Sequence, residues 1–299
     1  MNDLLKPTDE IIKVNVIMRS FQAGADEDSF DVDFFQERVA KPIRNLLRHK
    51  DIINSIIIVT NGEAGSSLAE KMIREDLTPT IKHLREAFPD EIKERTIITH
   101  ISDVWGPNPG SGVALNKGIA IAGNECEWIL CLSPEIEIDG YKIISAINFA
   151  RERNLSVVGF MRKLWWERPQ WNVGQNTACL WHSDTLIEAG GFSDECDGVT
   201  KETVKTVEYG DVLMAGMEDF HAMARLMGKH GDEFRWGMIG RHTPLNWNVN
   251  FLPGSEREKQ HKIKVARQYA VIQRYVEKIF PNTKFEDVME KFFSLRHQD

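Results

Sequence analysis

The sequence lacks the usual marks of a metal-stapled, secreted or membrane-spanning protein. Its four cysteines, Cys126, Cys131, Cys179 and Cys196, form no C-x-x-C pair and show no regular spacing. That argues against a zinc site and a disulfide framework and leaves buried thiols. No apolar run approaches the ~20 residues that a bilayer-spanning helix needs. The opening stretch MNDLLKPTDE lacks the charged and then apolar order of a signal peptide. A cytoplasmic location is therefore expected, with peripheral attachment to a membrane through a partner or an amphipathic face left open. Basic residues are outnumbered: 37 Lys and Arg stand against 45 Asp and Glu, a formal charge of -8, so no nucleic-acid partner is expected. A phosphorylated ligand remains compatible with that charge, because backbone amides, a few basic side chains or a metal supply local positive charge. No glycine-rich, lysine-bearing phosphate loop follows the first strand-like run, which disfavours a nucleotidyltransferase. The acidic stretch from Asp26 to Asp31 lacks the glycine and terminal glutamate of an EF-hand and reads as a solvated loop.

What is present is apolar content of 42% over 299 residues, enough to bury a sizeable core in one large or two small domains. Strand-like runs are expected at Val14 to Met18, Ser55 to Thr60, Thr96 to His100, Trp128 to Leu132 and Ser156 to Met161. Helical stretches alternate with them: Phe34 to Leu47, Ser67 to Phe88 with a break near Pro79, Val113 to Ala122, and Tyr141 to Glu152. Alternation of this kind predicts parallel strands joined by helices. The second half turns richer in tryptophan and glycine, with a polar insertion from Ser193 to Asp211. Near the end, Ser255 and Glu258 have capping-box spacing, and Ala266, Tyr269, Ala270 and Ile279 suit one face of a helix that Pro281 stops. A last helix is expected from Phe285, Val288, Met289 and Phe292, spaced i, i+3, i+4, i+7.

In open α/β sheets ligands sit beyond the carboxyl ends of the strands. There the sequence offers Arg19-Ser20-Phe21-Gln22, Asn61-Gly62-Glu63-Ala64-Gly65 and Ser133-Pro134-Glu135-Ile136-Glu137, a polar rim suited to a base, a ribose and phosphates. Gly112, Ala114, Asn116 and Gly118 precede the strand that ends in Leu132-Ser133-Pro134-Glu135-Ile136-Glu137. Further on come Asn176-Thr177-Ala178, then Gly190-Gly191-Phe192-Ser193, then Gly216-Met217-Glu218-Asp219 with Arg225 and Gly228. In this order, over roughly residues 12 to 245, the motifs resemble those of inverting family 2 glycosyltransferases. The strand-end motif is a close variant of the Leu-Asn-Pro-Asp-Val-Glu of rhamnosyltransferase-type members. Besides Ser133 in the strand-end motif, two stretches differ from the family pattern: Thr60-Asn61 replaces a base-binding aspartate, and Arg19-Ser20-Phe21-Gln22 replaces Pro-x-Tyr-Asn.

The resemblance implies a GT-A-like, Rossmann-type α/β fold with a mainly parallel central sheet and C-terminal helices. Residues 1–253 would form the catalytic domain, with a nucleotide-sugar half at about 11–140 and an acceptor half at about 141–253, and 254–299 a helical extension. It also implies transfer of a sugar from a nucleotide-diphosphate donor to an unidentified acceptor hydroxyl, with inversion. Departure of a nucleoside diphosphate builds charge that a Mg²⁺ or Mn²⁺ ion commonly neutralises. Glu135 would lead its ligands, with Ser133 in the first acidic position of the usual Asp-x-Asp and Glu137 or His242 completing the shell. Arg19, Ser20, Phe21, Asn61, Glu63, Asn116, Ser133, Pro134 and Arg241 would contact the donor. Asp219 would take the proton of the acceptor hydroxyl, and Glu218 would orient the acceptor or Asp219.

Each position also has a structural explanation. Glu218 and Asp219 open a predicted helix, where acidic groups suit the dipole. Glu135 and Glu137 alternate with Ile136 and Ile138 and could simply be solvated. His242 could be a hydrogen-bonded loop residue, and Gly112 and Gly118 could serve close helix packing. Trp165, Trp166 and Trp171 could stack on a sugar or base, or pack. A nucleotide-sugar-binding protein without turnover, acting as a regulator or scaffold, is the alternative that Ser133 and Thr60 favour.

Overall fold

The computed structural model describes residues 12–20, 40–61, 79–101, 109–134, 136–161, 178–192, 218–240, 245, 272–273 and 275–298. Its first half follows the expected alternation: β1 (Val14–Ser20), α1 (Lys41–Leu47), β2 (Ile53–Asn61), α2 (Pro79–Ala87), α3 (Glu91–Arg95), β3 (Thr96–Ile101), α4 (Pro109–Ala122), β4 (Trp128–Leu132), α5 (Gly140–Arg153) and β5 (Val157–Phe160). There follow β6 (Ala178–His182), α6 (Ser183–Glu188), α7 (Glu218–His230), β7 (Trp236–Ile239), α8 (Phe285–Ser294) and β8 (Arg296–Gln298). The expected break near Pro79 is where α2 begins, as a proline without an N–H permits in a first turn. The polar insertion, the capping box at Ser255 and the residues expected before α1 and α2 lie outside the described residues, as do Trp165, Trp166 and Trp171.

The eight strands form one sheet in the order β3-β2-β1-β4-β6-β5-β7-β8. β1 runs parallel to β2 and β4, and β5 runs parallel to β7. β6 is wedged antiparallel between β4 and β5. Period-two alternation divides the strand side chains between two faces. Val14, Val16 and Met18, with Trp128, Leu130 and Leu132, pack under α1 and α5. Ile17, Ile129, Cys131, Cys179 and Trp181 pack under α4 and α7. Strands buried on both faces explain why β1, β2 and β4 read as mostly apolar runs, and the buried Asn15 in β1 is satisfied by donating to the Ala122 carbonyl at 3.1 Å.

Local chemistry fixes the connections. Asp139 caps α5 by accepting from the Lys142 N–H at 2.8 Å, and Asn154 closes the helix in the left-handed region at φ 52°. Gly118 brings α4 onto β1: a Cβ there would lie 2.4 Å from Ile17 Cγ2, so the close-packing reading holds for this glycine. The C-terminal residues are joined to the sheet. β8 pairs with β7, and the Trp236 ring stacks on Phe292 at 4.9 Å while its indole Nε1 donates to the Phe292 carbonyl at 3.1 Å.

Candidate functional site

The strand order reverses between β1 and β4, and the carboxyl ends of these strands flank the ligand crevice of an open α/β sheet. β1 and β4 pair from Val14–Trp128 to Met18–Leu132, so Arg19 and Ser133 are the first residues beyond the last pair. Arg19 follows the alternation of Ile17 and emerges on the face covered by α7. Its Nη1 donates to Glu218 Oε1 at 3.3 Å, closing an ion pair in which Arg19 is 30% exposed and Glu218 7%. A partly exposed guanidinium thus anchors a buried carboxylate with one of its five donors.

Glu218 and Asp219 open α7 and are both buried. Asp219 Oδ1 accepts from the Phe220 N–H at 2.8 Å, spending one oxygen on the first turn. Two adjacent buried carboxylates cost free energy even when paired, so this arrangement works against stability and suits chemistry. The row beneath them is neutral. Ile17 pairs with Cys131, and Cys131 with Cys179, across three neighbouring strands. Burial pushes the Cys131 thiol far above its ordinary value, with Arg19 opposing and Glu218 and Asp219 adding to the rise. Burial likewise raises Cys179, reinforced by Cys131 and Asp219. Burial thus favours the protonated thiol, the poor nucleophile, at both cysteines.

A second set of contacts fixes α7. Gly190 and Gly191 turn at φ 73° and 71°, the left-handed region that favours glycine. Asn116 on α4 grips this turn with both ends of its amide: Nδ2 donates to the Phe192 carbonyl and Oδ1 accepts from the Phe192 N–H, each at 2.8 Å. Arg225 on α7 donates from Nη2 to the Gly191 carbonyl at 2.6 Å. Gly228, one turn on, lets α7 approach Ile279 and Phe280, whose atoms would lie 3.2 and 3.4 Å from an added Cβ.

Among the residues expected from sequence, the structure brings Arg19 and Glu218 together at the end of β1, with Asp219 next to Glu218 on α7 and Ser133 and Pro134 following β4. Ser20 and Asn61 close β1 and β2. Thr60, which replaces the family's aspartate, is buried and its hydroxyl donates to the Thr99 carbonyl at 3.3 Å. The amide of Asn116 is engaged by the Phe192 backbone. Glu137 accepts from Asn45 Nδ2 on α1 at 3.2 Å. Phe21, Glu63, Glu135, Arg241 and His242 lie outside the described residues. Among the described residues no three His, Cys, Asp or Glu side chains gather closely enough to hold a metal ion. The donors described therefore do not by themselves make a cation shell. Sequence reasoning missed the Arg19–Glu218 pair and the role of Arg225, although the alternation of β1 and the i+7 spacing from Glu218 to Arg225 were both readable.

No protein-family model and no curated protein matches the chain. Solved structures do. S. aureus TarS 1-349 superposes with a TM-score of 0.52 at 11% identity, over 94% of this chain and 71% of that one. The same fragment in complex with UDP-GlcNAc gives 0.52 at 11% identity, over 94% and 72%. A longer TarS structure gives 0.51 at 12% identity, over 94% of this chain and 43% of its own. The fold is GT-A-like. Identity this low carries the likeness no further than the fold. Among the described residues no helix is long and apolar enough to cross a membrane.

Proposed function

We propose that the chain is a glycosyltransferase that moves a sugar from a nucleotide-diphosphate donor to an acceptor hydroxyl with inversion. The observation that carries this reading is the buried Glu218–Asp219 pair at the start of α7, tied by Arg19 to the switch point of a GT-A-like sheet. TarS, of the same fold, has been crystallised with UDP-GlcNAc, which favours a nucleotide sugar as the ligand of the β1 and β4 ends. In this reading Asp219 accepts the acceptor hydroxyl proton as its oxygen attacks the anomeric carbon. The bond from that carbon to the donor phosphate breaks, and the electron pair leaves with the nucleoside diphosphate. Arg19 faces the developing phosphate charge, where a guanidinium forms charge-assisted hydrogen bonds. Glu218 keeps Arg19 and the first turn of α7 in place.

The test is incubation with a panel of nucleotide sugars and acceptor glycans, reading nucleoside diphosphate release with added Mg²⁺, with Mn²⁺ and with EDTA. Release that depends on donor identity supports the reading, and the EDTA arm decides whether a cation through Glu135 and His242 is needed. A second reading, a nucleotide-sugar-binding regulator or scaffold, is favoured by Ser133 in the metal motif and by the inward commitment of Thr60. Saturable donor binding by calorimetry with no release across the acceptor panel would select it.

A further inference from the structure

Arg225 stands on the same face of α7 as Glu218, two turns away, with Ala222 between them at i+4. That face meets β1 through Glu218 and the Gly190–Phe192 turn through Arg225. The turn is itself immobilised, because Asn116 holds both the N–H and the carbonyl of Phe192 and leaves no room for a side chain at Gly191. On the far side of the turn Phe192 packs edge-on against Trp181 at 5.3 Å, so the pinned segment is also seated in the core. Core packing from Phe220 to Met227 holds the body of α7, and a rotation about its axis would also break both of these polar contacts. Rotation is the motion that would carry Glu218 away from Arg19 at the β1 end, and Asp219 with it.

We propose that Arg225 is a positioning residue for the acid pair: by tying α7 to the Asn116-held turn it sets the helix rotation that presents Asp219 and Glu218 at the site. It touches no reacting atom in this account. The catalytic part of the claim rests on the transferase reading above, whereas the positioning part does not.

Two variants, Arg225→Met and Arg225→Lys, test it in the full chain. The methionine keeps most of the packed stem and loses the donor; the lysine retains a single donor able to reach the Gly191 carbonyl. The activity-independent readout is a crystal structure of each variant, reading the Arg19 Nη1–Glu218 Oε1 pair that α7 makes with β1, 3.3 Å in the wild-type chain. Arg225→Met is expected to turn α7 and part that pair beyond hydrogen-bond reach, and Arg225→Lys to keep it. With a working donor and acceptor, Arg225→Met should lower kcat at least tenfold while donor KM stays within about twofold, with partial recovery in Arg225→Lys. An unchanged α7 orientation and Arg19–Glu218 pair in the Arg225→Met structure overturns the proposal. So does a loss of kcat matched by an equal rise in donor KM, or a wild-type kcat in a protein that is merely less heat-stable. If wild type releases no nucleoside diphosphate, the transferase reading fails while the structural arm still decides the positioning claim.

Discussion

Replacing Gly191 by alanine should cost far more than a glycine-to-alanine change at a left-handed turn normally does. Two losses combine. At φ 71° an L-residue sits in the disfavoured left-handed region, which costs about 1 kcal/mol. The new Cβ would also lie 2.4 Å from Asn116 Oδ1, too close to coexist with it. Asn116 must swing away and give up both of its 2.8 Å bonds to Phe192. At about 1 kcal/mol each, these bring the total to roughly 3 kcal/mol. For a domain of this size that is a fall in Tm of roughly 5 °C. Gly123 is the internal control: φ is 58°, but nothing lies within 4 Å of an added Cβ, so Gly123→Ala should lose only the backbone part, about 1 kcal/mol. Urea unfolding of both variants, with the slope checked for constancy, gives the comparison directly. An Asn116→Ala background supplies the decisive arm. Once the amide is gone, adding Gly191→Ala should cost no more than Gly123→Ala does. Equal losses at Gly191 and Gly123 in the wild-type background would refute the claim that Asn116 clamps the turn.

Asp219→Asn preserves shape and removes the base, so nucleoside diphosphate release should fall by roughly 10²–10⁴-fold with donor affinity nearly unchanged; full activity in this variant would remove Asp219 from the mechanism. Trp236 is fully buried and stacked on Phe292, so Trp236→Ala should cost about 3–5 kcal/mol by chemical unfolding, and a loss below about 1 kcal/mol would show that β7, α8 and β8 contribute little to the main fold. His297 in β8 has its pKa lowered by burial and then by Arg235 and Arg153, so the folded state resists its protonation more than the unfolded chain does. Its contribution is therefore whole above the unfolded value near 6.5 and declines as pH falls toward the folded pKa. The drop in urea midpoint between pH 7.5 and pH 5.5 should accordingly be smaller in His297→Gln than in wild type, and an identical drop would contradict the assignment.

The parallel half of the sheet was legible because β1, β2 and β4 are buried on both faces and so appear as mostly apolar runs, broken in β1 only by the buried Asn15 before Arg19. In the other half β5 was legible as well, but β6, β7 and β8 were not. β6 is a five-residue run, Ala178–His182, with no glycine or proline beside it to mark its ends. β7 contains Gly237, which reads as a breaker; in the fold it makes room for Leu155 and Phe149, each 2.7 Å from where a Cβ would be. β8, Arg296–Gln298, has no apolar residue at all, and its pairing follows from the docking of α8 through Phe292 rather than from any local preference. The site divides in the same way. The acidic pair could be found from sequence, but its burial and its partner could not, because Arg19 and Glu218 are 199 residues apart.

The motif residues themselves fall into two physical groups. Asn116, Gly191, Arg225 and Gly228 helped to mark the family resemblance, and all four belong to the joint that seats α7 on α4 and the C-terminal helical residues. Gly118 belongs with them, since it lets α4 close on β1. Such residues would be needed by any chain that builds this joint, whatever reaction it runs, so their presence argues for the fold and is silent on the chemistry. What argues for chemistry is the feature the joint does not need: two carboxylates buried side by side above the neutral Cys131 and Cys179 row, where a pair of apolar side chains would have made a more stable helix start. The case for sugar transfer therefore rests on Arg19, Glu218 and Asp219, and these are the positions at which substitution should separate lost activity from lost structure.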